Sequence, residues 1–246
     1  MIPAKDRRIP PHMADNEPVF DLKWVADCCL RVAWEADGPG SRFDEVRAAV
    51  ARLSASPMHA LRDVTPAAAS LLLTFDLAGL DPEQAEALVR GALQSGDGCA
   101  TPPLDRRVTI PVCYHPELGP DLPTVARLCR LSPADAATRH AAGEHRVQFI
   151  GFAPGFPYIL GLPASLAVAR LDQPRLRVPA GSVGIANDYT GIYPHVTSGG
   201  WRLIGRTPLR LFDAHRSPPA RLAMGDRVTF EPITLDQFRT TSEHEN

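Results

Sequence analysis

The sequence carries almost no surplus of charge: 26 Lys and Arg stand against 28 Asp and Glu, a formal net of -2. Such a balance builds no basic field to hold a phosphate backbone or an anionic membrane surface, so neither nucleic acid nor membrane is an expected partner. Long hydrophobic runs are missing too. No stretch approaches the ~18 consecutive apolar residues of a membrane span. Arg7-Arg8 is followed by Ile9-Pro10-Pro11-His12 rather than by an apolar run of signal-peptide length, so no export signal is expected. The five cysteines, Cys28, Cys29, Cys99, Cys113 and Cys129, are odd in number and lack C-x-x-C or Cys/His ligand spacing. A reducing, cytoplasmic setting fits them best, and Cys28-Cys29 reads as a pair of small hydrophobes in a strand.

What is present is an ordinary globular composition, 44% hydrophobic and 22% charged, over a length that suits two small domains better than one. Residues 1–18 form a Pro-containing, solvated arm in this reading. Leu22–Trp34 reads as a strand, bulged near Ala26-Asp27. Ser41 with Asp44 opens a helix that aligns Phe43, Val46, Val50 and Leu53 on one face. Ala69–Leu77 is a second strand, and Asp81-Pro82-Glu83-Gln84 supplies an N-cap, an N1 proline and a capping-box Gln for a helix to Leu93. This order predicts an α+β lobe over 19–100 with helices on one sheet face.

Gln94–Pro103 is polar and rich in small residues and prolines, and marks the boundary to a second unit over 101–240. There Arg107–Tyr114 is a strand, Asp121–Cys129 a helix, and Ser132-Pro133 with Asp135 the start of another that ends near His140. From Gly151 to Arg210 nine glycines and seven prolines occupy 16 of 60 positions, interleaved with Phe152, Phe156, Tyr158, Tyr193 and Trp201. That aromatic content supports packing rather than disorder, and turn signals every 8 to 12 residues predict a barrel or sandwich.

Three clusters carry the strongest signal: Phe149–Tyr158 (FIGFAPGFPY), Arg175–Ile185 (RLRVPAGSVGI), and Tyr189–Pro194 (YTGIYP) continuing through Ser198–Leu209 (SGGWRLIGRTPL). Glycines expose backbone N–H groups and admit a ligand closely, while Ser182, Thr190, Tyr193, Arg175 and Arg177 add hydroxyls and fixed charge, so this wall could cradle a carboxylate or phosphate. The competing reading makes each glycine a turn or bulge of a small barrel. Ser182, His195 and Asp188 lack the G-x-S-x-G context of a nucleophile elbow. Neither a Walker A loop nor a strand-linked G-x-G-x-x-G exists, and no metal-ligand spacing is present, so no protein-held metal is expected.

In order and spacing these clusters, with Gly119-Pro120-Asp121-Leu122 and His140 upstream, resemble the family that contains the B subunit of 5-oxoprolinase (PxpB), the kinase inhibitor KipI and the allophanate hydrolase subunit 1 portion of carboxyltransferase domains. Departures fall at His145-Arg146-Val147, Tyr189, His195 and Ala26-Asp27, where the family more often has Y-x-V, Gln, Leu and G-D. The resemblance implies an N-terminal α+β lobe followed by a cyclophilin-like β-barrel. It also implies the B component of an ATP-dependent 5-oxoprolinase, inactive by itself, that opens 5-oxoproline to L-glutamate with a C-type partner (allophanate hydrolase subunit 2-like) and an A-type partner. The alternatives within the family are a KipI-like inhibitor of a sensor histidine kinase and an allophanate or urea amidolyase component. ATP with Mg²⁺ is expected through the resemblance only. His140, the family-matched histidine, is the catalytic candidate, against the alternative that it complements the end of its helix. Gly151, Phe152, Pro154, Gly155, Phe156, Tyr158, Arg177, Pro179, Gly181, Ser182, Thr190, Gly191, Tyr193, Gly199, Gly200 and Trp201 are expected to face substrate, nucleotide or a partner.

Overall fold

A computed structural model describes residues 20–56, 58–76, 78, 81–94 and 106–245. The expected arm, residues 1–18, and residues 95–103 of the expected linker lie outside them. The N-terminal lobe is a four-stranded antiparallel sheet in the order β1-β2-β4-β3, formed by β1 (Phe20–Ala26), β2 (Cys29–Trp34), β3 (Leu61–Pro66) and β4 (Ser70–Phe75). Period-two alternation turns Leu30, Val32 and Trp34 of β2 and Leu71, Leu73 and Phe75 of β4 inward. Helices α1 (Phe43–Ala55) and α2 (Pro82–Gln94) cover these residues with Val46, Ala49 and Leu53, and with Ala85, Val89 and Leu93.

Three expectations need correction here. Leu22–Trp34 is a hairpin rather than one strand: Asp27 and Cys28 form its turn, Ala26 faces Cys29, and the irregularity lies between Trp24 and Ala26. Ser41 does not cap α1, since its hydroxyl donates to the carbonyl of Gly38 and the cap position is Arg42. Cys28 therefore sits exposed in a turn, outside any strand core. Asp81 does cap α2, accepting from the Gln84 N–H at 2.8 Å.

The second unit is built on a seven-stranded sheet in the order β12-β9-β10-β7-β6-β13-β5. Its strands are β5 (Arg107–Val112), β6 (His145–Ile150), β7 (Pro157–Leu160), β9 (Ser182–Ala186), β10 (Tyr189–Ile192), β12 (Arg202–Arg206) and β13 (Arg227–Pro232). The two edge strands meet: Cys113, just past β5, exchanges both backbone hydrogen bonds with Arg206 of β12 at 2.9 and 3.0 Å, curling the sheet into a nearly closed barrel. Closure removes the unpaired edges a sheet of this size would otherwise expose. All five residues of β9 are buried, which matches a strand with the barrel interior on one side and covering elements on the other. Helices α3 (Leu122–Leu128) and α4 (Pro133–Ala141) pack against each other and, respectively, against β12 and β13. A separate two-stranded ribbon, β8 (Arg175–Val178) with β11 (Thr197–Gly199), carries part of the motif segment, and α5 (Leu235–Glu245) follows β13. The barrel core of Ile110, Val147, Ile159, Ile185, Ile192 and Phe230 is distinct from the lobe core.

Candidate functional site

The motif residues separate into three environments. The first is the barrel interior, where His140 is fully buried. Thr190 Oγ1 donates to the Gly184 carbonyl at 3.1 Å, so at 2.8 Å from His140 Nε2 it accepts the ring proton. His140 Nδ1 is then the bare nitrogen that accepts from the Tyr114 hydroxyl at 2.8 Å. Burial, reinforced by neighbouring His145, holds the His140 pKa well below its ordinary value, and burial of the Tyr114 phenol pushes that group up. With both nitrogens engaged and no solvent contact, His140 has no lone pair or proton to offer a substrate. This geometry favours the reading of His140 as a core polar group. Sequence reasoning could not see this, because Tyr114, His140 and Thr190 meet only after closure of the barrel.

Thr190 shares this interior, and Ser182 is buried on β9. These two expected anion contacts are thus part of the barrel wall. His195 lies exposed in the loop after Pro194 while Ser182 is buried, so no serine–histidine arrangement assembles.

The second environment is a continuous aromatic face. Phe149 and Tyr158 stack with centroids 4.3 Å apart, Tyr158 meets Trp201 edge-on at 5.6 Å and Tyr189 at 5.8 Å, and Phe156 meets Trp201 at 5.4 Å and Tyr193 at 5.1 Å. Edge-to-face contacts of this kind add to the area each ring buries. Phe152 closes the series over Phe156 and Tyr193, and is 61% exposed in a left-handed backbone conformation with φ 65°. A non-glycine residue held there is uncommon and marks a loop whose surroundings dictate its shape. Gly151 lies against the Phe149 and Tyr158 rings, Gly191 against Trp201 and Phe156, and Gly199 against Tyr193, so these expected site residues make room for rings. Gly200 sits beside Pro174. Pro154 is exposed in the same loop as Phe152, which Gly155 closes.

Two polar links anchor this face, and neither was visible in the sequence. Buried Gln148 accepts from the Tyr189 hydroxyl at 2.7 Å and donates to the Ala68 carbonyl of the lobe at 3.2 Å. Burial first, then Asp188, pushes the Tyr189 phenol up to about 12. Asp121, at the start of α3, pairs with Arg175 of β8 at 2.7 Å and accepts from the Leu203 N–H of β12 at 2.7 Å. Arg177, two residues along β8, is exposed, and Leu176 between them is 94% exposed.

The third environment is a groove of about 430 Å³ beside α5, lined in part by Gly181, His195, Arg206 and Phe238. Gly181 has φ 80°, and a side chain on it would collide with the Thr207 carbonyl. Pro179 is exposed in the turn that leads to it. Among the described residues no three His, Cys, Asp or Glu side chains converge as a metal site would need, and no helix is long and apolar enough to cross a membrane.

Residues 20–222 match the family model of the carboxyltransferase domain, subdomain C and D. A Bacillus subtilis protein named as the B subunit of 5-oxoprolinase is 48% identical over 141 residues, which cover 57% of this chain and 59% of that one. The chain thus spans less than two thirds of that relative. The crystal structure of TTHA0988 shares 33% identity at a TM-score of 0.70, covering 83% of this chain and 39% of that one. Urea carboxylase of Kluyveromyces lactis, at 16% identity and a TM-score of 0.73 over 97% of this chain and 24% of that one, shares the fold. With the matched model extending across both lobe and barrel, the chain belongs to the carboxyltransferase domain, subdomain C and D family.

Proposed function

We propose that this chain is the B-type component of an ATP-dependent 5-oxoprolinase, which opens 5-oxoproline to L-glutamate with partners of the C and A types. The observation that carries this reading is the 48% identity to the B. subtilis protein over more than half of this chain. The absence of a self-contained catalytic set among the described residues agrees with a shared site. His140 is locked in the core, Ser182 has no histidine beside it, and the aromatic face presents rings rather than acid–base groups.

A lactam carbonyl is a poor electrophile and must be activated before water can open it; ATP supplies that activation in the complex. Of the expected anion contacts, Arg177 is exposed, whereas the Thr190 and Ser182 side chains are buried and the Thr190 hydroxyl is committed to Gly184 and His140. The contribution of this chain is a rigid aromatic wall: Phe152, Tyr158 and Trp201 are preordered by their ring contacts, so covering them with a partner costs little side-chain entropy and excludes water from the shared site.

The test is reconstitution. Co-purified with its A- and C-type partners from the same genome, the chain is expected to support ATP-dependent release of glutamate from 5-oxoproline, and each component in isolation is expected to be inactive. An assembled, folded complex that turns over urea or allophanate and not 5-oxoproline would overturn the reading. Cytoplasmic residence belongs to the same proposal and is checked by fractionation.

A further inference from the structure

We propose that the groove between α5 and the turns at Gly181, Pro194 and Thr207–Phe212 is a binding site for a small oxyanion with an apolar body, such as a cyclic or short-chain carboxylate. Among the described residues, those titratable groups that line it, His195, Arg206 and Arg210, are all basic, and no Asp or Glu is among them. Arg206 is held in place: its Nε donates to the Ala180 carbonyl at 2.7 Å and its guanidinium lies 5.8 Å from the centroid of the Phe238 ring. A guanidinium fixed in this way keeps donors directed at a ligand without ordering cost. Arg210 stands at the rim, its side chain half exposed and 3.6 Å from Asp213.

The remaining lining is suited to the rest of such a ligand. Val196, Leu209, Phe212 and Phe238 supply apolar surface, and Thr207 and Ser242 contribute hydroxyl side chains. At about 430 Å³ the groove falls in the size range of small-molecule sites. It is also tied to the aromatic face, because Phe212 packs directly against Gly155 at the end of the loop that carries Phe152. Motif residues from the turns at Gly181 and Pro194 thus line the groove, and Phe212 links it to the loop that ends at Gly155.

Only the choice of 5-oxoproline as a probe rests on the proposed function; the oxyanion site itself rests on the groove. The test titrates the isolated chain, observed by ¹H–¹⁵N NMR, with 5-oxoproline, L-glutamate, inorganic phosphate and the uncharged isostere 2-pyrrolidone. At least one of the two carboxylates is expected to give saturable shifts in residues 180–181, 194–196 and 206–212, while 2-pyrrolidone gives none. Saturation by the organic acids supports a carboxylate site, and saturation by phosphate alone would overturn it. Raising NaCl from 50 to 300 mM and the exposed-rim substitutions His195→Ala and Arg210→Gln are each expected to weaken binding at least 5-fold, with unfolding temperatures unchanged. No saturable shift with any anion to 50 mM, equal binding of 2-pyrrolidone, or affinities untouched by both substitutions would overturn the proposal. Binding that survives while the reconstituted complex is inactive on 5-oxoproline would sink the proposed function and leave this site standing.

Discussion

At the scale of residues, the buried histidines are the most informative groups in the barrel. His145 donates through Nε2 to the His140 carbonyl at 2.6 Å, while its Nδ1 is buried without a partner, and burial lowers its pKa as it does for His140. In both cases the folded pKa lies below the unfolded value of about 6.5, so the unfolded chain takes up protons first as pH falls. Their contribution to stability is fully present above pH ~6.5 and is lost as pH drops below it. Each histidine adds a slope of about 1.4 kcal/mol per pH unit. Urea unfolding between pH 7.5 and 5 is expected to show this loss, and His145→Gln to remove about half of it; a flat profile would refute the neutral pair. Glycine positions give a second residue-level outcome. A methyl group on Gly199 would collide with the Tyr193 hydroxyl, whereas one on Gly200 would meet only ordinary contacts at 3.7 Å. Gly199→Ala is expected to cost about 1–3 kcal/mol by overpacking, and Gly200→Ala well under half as much, read as the difference in unfolding midpoints.

Elements are joined by a few polar links whose partners lie far apart in the chain. Asp121 holds α3 to both β8 and β12 through Arg175 and the Leu203 N–H, and its side chain is only 12% exposed. Replacing Arg175 by Met leaves that carboxylate without its counter-charge, and a loss of about 3 kcal/mol is expected. Arg175→Met combined with Asp121→Asn should recover part of this, since the neutral amide still offers an oxygen to Leu203. A double-mutant cycle with no coupling between the two positions would exclude the pair as a structural tie. The hairpin of β1 and β2 teaches a different lesson about elements. Residues 22–34 show strand character on both sides of Asp27-Cys28, and two short antiparallel strands carry the same local pattern as one long strand. The antiparallel register from Phe20 with Trp34 to Ala26 with Cys29 distinguishes them. Strand β3 (Leu61–Pro66) escaped sequence reading for a related reason, since its Arg62, Asp63 and Pro66 dilute the strand signal that its partner β4 compensates.

On the scale of the whole molecule, lobe and barrel have separate cores but are connected where the aromatic face begins. Gln148 bridges Tyr189 to Ala68, Arg146 lies 5.4 Å from the Phe43 ring centroid, and Met224 packs on the lobe core. Gln148→Leu deprives a half-buried phenol and a lobe carbonyl of their partner, at about 1–3 kcal/mol. Faster amide exchange in residues 61–75 is the expected consequence, together with weaker assembly with the partner proteins; unchanged exchange there would rule out this bridge as the coupling. The sequence by itself determined the class of this protein. Glycine and proline spacing, ring placement and capping residues are local properties, and they sufficed for an α+β lobe, a β-barrel and the family resemblance. Tertiary structure alone decided the fate of individual side chains. Closure of the sheet between Cys113 and Arg206 placed Thr190 and His140 inside and Tyr158 and Trp201 on the face, and brought Gly181, His195 and Arg206 around one groove. The physical reason is that a side chain's chemistry depends on burial and on partners tens of residues away, which no local spacing encodes.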